Sequence, residues 1–196
     1  MTKTRSRFLL TMAVLACCLS SALAKPQANK LPEWKPAPEL LTKLSAPVQT
    51  EYGTIRVPSS FILEKDELEG GPAYTWGKKA RKEGVDQAIA LVSPKLTPEQ
   101  FHDYTLKTAL DDLIVGYQRA FMNWKQTTPQ SGRINGAQAL RLHWSGATRK
   151  RDVKVEGSIF MVQMKDRFVL MITTVRPNDK TGMKLTEAAA LTFKPK

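Results

Sequence analysis

Two neighbouring segments, VKVEGSIFMVQM (153–164) and RFVLMITTV (167–175), are apolar on both alternating faces through their central parts. Only Lys165 and Asp166 lie between them, so they read as a β-hairpin with a two-residue loop. A strand with no polar face must be covered on both sides. The chain therefore needs a sheet between two outer layers, and helices are the usual cover.

The rest of the chain supplies such elements. TEYGTIRVP (50–58), FILEK (61–65) and AYTWGKK (73–79) are β-favouring runs separated by Gly and Pro. DQAIALVSP (86–94) is a fourth, and the unbroken apolar run Ala88 to Val92 predicts a central strand buried on both faces. The period then changes. Thr97-Pro98-Glu99-Gln100 is a capping box with Pro at the first helical position. Leu106, Leu110, Leu113, Tyr117, Phe121 and Trp124 follow at helical spacing, which predicts one long helix burying an aromatic-rich stripe in the core rather than offering a stacking platform. WKQTTPQSGRING (124–136) reads as an irregular edge strand with a turn at Asn135-Gly136. AQALRLHWSG (137–146) alternates Leu140, Leu142 and Trp144 with Arg141 and His143, one buried face and one wetter. Asp179 to about Thr192 forms a closing helix. The expected fold is α+β, an α/β/α sandwich whose mostly antiparallel sheet is covered by the long helix and the C-terminal one.

The first residues bear on destination. Lys3, Arg5 and Arg7 precede an apolar run from Phe8 to Leu19, and Ala22-Leu23-Ala24 has the small-x-small form of a signal-peptidase site. About 12 apolar residues fall short of the roughly 20 that span a bilayer. Residues 1–24 thus read as a signal peptide cut after Ala24. A competing route is lipidation at Cys17, since Val14-Leu15-Ala16-Cys17 has the form of a lipobox. Cys17 and Cys18 are the only cysteines, so cleavage at Ala24 leaves a mature chain with no disulfide, no thiol nucleophile and no cysteine-based metal site. Residues 25–47 contain Pro26, Pro32, Pro36, Pro38 and Pro47 and read as a linker or arm, which Trp34 and Leu40-Leu41 can dock on the domain formed by residues 48–196.

The full chain carries a net charge of +12, and losing the three basic residues of the signal leaves +9. Such a protein is drawn to anionic partners. The basic residues concentrate at Lys78, Lys79, Arg81 and Lys82 and at Arg149, Lys150 and Arg151, both in expected turns; these are the candidate binding residues, set against the plainer reading of a solvated loop surface. Nucleic acid is disfavoured because no recognition motif is present.

The stretches VPSSF, SPKLTPEQF, INGAQALRL, MKDRFVLMITT and LTFKP, spanning about residues 48–194, resemble the PsbP/DcrB-like domains, which include the Mog type. That resemblance implies a small, non-catalytic protein of binding or assembly, often exported or lipid-anchored. It supplies no functional residue at a defined position. The catalytic inventory points the same way. His102 and His143 lack His, Cys or carboxylate neighbours at metal-ligand spacing. Asp111-Asp112 are adjacent on a helix and diverge by about 100°. No phosphate loop, nucleophile elbow or zinc motif is present. The expectation is a non-catalytic exported binding or accessory domain of the cell envelope, with no cofactor, no metal and no catalytic residue. Its partner is an unknown protein or an anionic envelope component, and it meets membrane only if lipidated at Cys17. The alternatives are a basic surface adaptor for anionic lipid or wall polymer, and an unrecognised hydrolase whose site is assembled only in space.

Overall fold

The computed structural model describes residues 31–68, 71–78, 87–149 and 152–196. Its centre is the expected hairpin, β9 (Lys154–Gln163) and β10 (Phe168–Val175), paired from Phe168 opposite Gln163 onward. Outward on one side lie β5 (Gln87–Val92), β4 (Gly71–Lys78) and β3 (Ile62–Leu68); on the other lies β8 (Ala137–Thr148), whose far edge pairs with both β6 (Phe121–Gln126) and β7 (Gln130–Ile134). Among the described residues these eight strands form one sheet, and each of their pairings is antiparallel. Alternation along β9 and β10 sorts the core into two halves. Phe160, Val162, Val169 and Met171 face one way, and Ile159, Met161, Leu170 and Ile172 the other.

The first half lies under α4 (Lys180–Ala190), which contributes Ala189 and Ala190. Asp179 caps this helix by accepting from the Gly182 N–H at 2.8 Å. The same face is shared with α1 (Pro38–Leu41) and a small sheet of β1 (Val48–Gln49), β2 (Gly53–Ile55) and β11 (Lys194–Pro195). The segment 50–58 thus feeds a separate sheet rather than an outer strand of the main one, because Tyr52, Ile55 and Val57 are buried against the α4 side.

The second half lies under α2 (Pro98–Asp103) and α3 (Leu106–Ala120). The expected single helix is two. The Thr97–Gln100 capping box forms, but Tyr104 and Thr105 are extended and Thr105 opens a second box with Thr108. Phe121 and Trp124 belong to strand β6, not to the helix, yet they reach the same core, with Trp124 stacked on Trp144 at 5.0 Å between ring centroids. The aromatic stripe is core packing, as its spacing suggested.

The cover on this face is incomplete. Helix α3 packs against β6, β8 and β9. Towards the β3 edge, the β4 and β5 residues facing its side are small apart from Val92: Ala73, Thr75 and Gly77 in β4 and Ala88 and Ala90 in β5. Strand β5 is accordingly buried fully at Ile89 and Leu91 and only half-buried at Ala88, Ala90 and Val92, so the expectation of burial on both faces holds for one face.

Tyr117 in α3 stacks on Phe121 at 6.0 Å, and burial pushes its hydroxyl up from 10.0 to about 12. A raised folded value means its contribution is complete below about pH 10 and is lost as pH rises through about 12. Denaturant midpoints should therefore fall between those values, and Tyr117→Phe should flatten the fall; an unchanged slope would place the ring in water.

Candidate functional site around His143, Ser158 and Glu187

His143 follows Ala139 and Arg141 on one face of β8, opposite the face that carries Leu140, Leu142 and Trp144, and the sheet register sets it directly opposite Ser158 of β9. Both point to the α4 side. On α4, Met183 and Glu187 are four residues apart and share one helical face. The three elements converge. Ser158 Oγ lies 2.9 Å from His143 Nδ1, donates a short hydrogen bond to Glu187 Oε1 and is 3.9 Å from Met183 Sδ; His143 Nδ1 is 3.3 Å from the same carboxylate oxygen.

Ser158 is completely buried, while the His143 side chain is nearly half exposed. The backbone here is irregular. The β9–β10 ladder pairs Ile159 with Ile172 and Glu156 with Val175 but skips Thr173 and Thr174. In its place the Ser158 N–H donates to Thr173 Oγ1 at 2.8 Å, and that hydroxyl donates to the Ser158 carbonyl at 3.3 Å. Beside the cluster opens a groove of about 380 Å³, lined by Lys125, Thr127, Ser145, Glu156, Met183 and His143 among others.

Serine, histidine and glutamate together raise the question of nucleophilic catalysis, which needs a serine whose proton passes to a base that a third group orients through its other ring nitrogen. This arrangement differs. An ionised carboxylate only accepts, so the single Ser158 hydrogen goes to Glu187, and the Nδ1 contacts are then those of an N–H donor. Serine and carboxylate crowd the same ring nitrogen instead of opposite ones. The geometry suits a polar tie between α4 and the sheet, satisfying a hydroxyl that would otherwise be buried unpaired.

Sequence reading treated His143 as isolated and did not single out Ser158 or Glu187. A serine within the apolar run of β9 was the available signal, because a fully buried hydroxyl demands a partner. His102 lies in the last turn of α2, away from this cluster. Among the described residues no group of three or more His, Cys, Asp or Glu could hold a metal ion, and no helix is long and apolar enough to cross a membrane.

Of the candidate basic residues, Lys78 is exposed at the end of β4, where it pairs with Gln87. Arg149 follows β8 and donates from Nε to the Arg119 carbonyl at 2.6 Å, placing a cation at the C-terminal end of α3. The two leave the same end of the sheet, four strand positions apart, or roughly 19 Å. Lys79, Arg81, Lys82, Lys150 and Arg151 lie outside the described residues, as do Cys17 and Ala24.

No family model matches the chain, and no curated protein matches it. Solved structures do. A cyanobacterial PsbP (CyanoP) from Synechocystis matches over 79% of this chain and 93% of its own, with a TM-score of 0.54 and 8% identity. A Pseudomonas aeruginosa protein of unknown function matches over 78% and 97% at 0.45 and 11% identity. LpqN of Mycobacterium tuberculosis, involved in cell envelope biogenesis, matches over 83% and 95% at 0.42 and 13% identity. The likeness to the cyanobacterial protein is one of fold: the chain has a PsbP-like α+β architecture built on a large, mostly antiparallel sheet.

Proposed function

We propose that this chain is a non-catalytic binding or accessory domain exported to the cell envelope. The observation that carries the reading is the state of Ser158: buried, its hydrogen committed to Glu187, it offers no attacking oxygen to the groove. The signal-like residues 1–24 and the PsbP-like fold support the same view.

A second reading is favoured by one further observation. Lys78 and Arg149, the described members of the two basic clusters, leave the same end of the sheet, so that end can present cations to an anionic lipid or wall polymer. Binding of this kind weakens steeply as salt shortens the screening length.

One set of measurements addresses both. Intact mass after cell fractionation should find either a soluble chain starting at Lys25 or a membrane-bound, acylated chain starting at Cys17; a cytoplasmic protein still carrying residues 1–24 is the result that sinks export. The recovered protein should be silent towards generic ester, peptide and phosphoester substrates, and turnover abolished by Ser158→Ala would overturn the non-catalytic reading. Sedimentation with phosphatidylglycerol vesicles should exceed that with phosphatidylcholine and fall with salt. Unchanged sedimentation after Arg149, Lys150 and Arg151 are replaced by Ser would remove the adaptor reading alone.

A further inference from the structure

The free edges of the main sheet are treated unequally. Strand β6 is broken by a register shift between Met122 and Lys125, with Asn123 in the left-handed region at φ 53°. Strand β7 is occupied, because the arm pairs Glu33 with Arg133 in parallel, Trp34 N–H donating to the Arg133 carbonyl and Arg133 N–H to the Pro32 carbonyl, each at 2.8 Å. Bulges and covering segments are the ordinary ways to blunt a sheet edge. Among the described residues strand β3 has neither. There it pairs with β4 alone, in unbroken register from Ile62 opposite Gly77 to Leu68 opposite Gly71, and each of its seven residues is exposed.

Its side chains are also unusual. Ile62, Leu63 and Leu68 are 51%, 44% and 56% exposed, and with Val115 they are the large apolar residues exposed among those described. On the face that α3 leaves uncovered, Ile62 and Leu68 flank Glu64 and Asp66; on the other, Leu63 and Glu67 flank Lys65, which is tied to Glu67 at 3.2 Å. The edge thus carries three acids and one paired lysine on a basic protein.

We propose that β3 is a docking edge that receives an extended, basic segment of a partner protein as an added antiparallel strand. Main-chain pairing along seven residues provides the binding, and cross-strand contacts select the partner. A second copy of the chain is the wrong occupant. Self-pairing centred on Lys65 sets Ile62 against Leu68 but Glu64 against Asp66, and like charges directly opposite are destabilising. A segment alternating apolar with Lys or Arg residues instead meets Glu64 and Asp66 with cations. This edge is distinct from the His143 groove; its Ile62 end pairs with Gly77, next to Lys78 of the basic end, but docking rests on the acids Glu64 and Asp66 and stands or falls without the basic clusters.

The test uses isotope-labelled protein and two synthetic heptapeptides, one alternating valine with lysine and one alternating valine with glutamate. The basic peptide should shift and protect the amides of residues 62–68, should bind roughly tenfold or more tightly than the acidic one, and should weaken as salt rises. Glu64→Lys with Asp66→Lys, both at exposed positions and with folding checked by circular dichroism, should reverse the preference. Equal binding of both peptides, shifts confined to other strands, no shift at all, or self-association through β3 in the sedimentation of the protein alone would each overturn the proposal.

Discussion

Gly157→Ala is expected to cost about 3 kcal/mol or more, and Gly157→Val to leave no cooperatively folded protein, since native domains hold only about 5–15 kcal/mol in total. The reason is local. A Cβ at Gly157 would lie 1.8 Å from the Thr173 carbonyl oxygen and 3.0 Å from Trp144 Nε1. The first of these is main chain, so no rotamer change relieves it, and β9 and β10 would have to part at the centre of the sheet. Parting them disturbs both core halves and withdraws Thr173 from the backbone of Ser158. Gly116 in α3 is the matched control. Nothing lies within 4 Å of its absent Cβ, so Gly116→Ala should stabilise by about 0.5–1 kcal/mol through helix propensity. Urea unfolding of the two variants beside the parent separates the cases, and a Gly157→Ala cost below about 1 kcal/mol would mean that the two strands are not packed as described.

The same two strands explain what sequence could and could not reveal. Apolar residues on both faces of 155–162 and 168–172 announced two core halves, and the Thr97–Gln100 box announced the start of α2; both signals are local, fixed by period and by side-chain reach. The break at Tyr104–Thr105 escaped notice because the second box ends in Thr108, not in Glu or Gln. The over-long helix came from a coincidence: Phe121 and Trp124 satisfy helical spacing, and they also reach the α3-side core from a strand bulged at Asn123. In β5, Ala88 and Ala90 counted as apolar and hence as buried. Their small size instead leaves that face of β5 only half-buried.

The candidate site was hidden for a different reason. His143, Ser158 and Glu187 are brought together by strand register and by the packing of α4, and no local pattern encodes either. His143 alone is an exposed polar position on an alternating strand. Its partner Ser158 acquires meaning only when burial is known, and Glu187 only when the helix is seen to place it over β9.

The arm offers the second large effect. Trp34 was expected to dock residues 25–47 on the domain, and in the described part of the arm it does, packing against the α4-side core with the Arg141 guanidinium 4.9 Å over its ring. Gly132 makes this possible, because a Cβ there would come within 2.3 Å of the ring. Trp34→Ala should cost about 2 kcal/mol, below the 3–5 of a fully buried aromatic because the ring is half-buried. Gly132→Leu should cost a similar amount by evicting the ring, with a change in tryptophan emission as Trp34 enters water. The decisive measurement is the double-mutant cycle. If ring and glycine form one contact, Gly132→Leu in the Trp34→Ala background should be nearly neutral, a coupling of about 1–2 kcal/mol. Additive costs would instead mean that Gly132 matters to β7 alone. Release of the arm would also strip β7 of the hydrogen bonds from Trp34 and to Pro32, so the evicted variant should aggregate through that edge at concentrations where the parent stays dispersed.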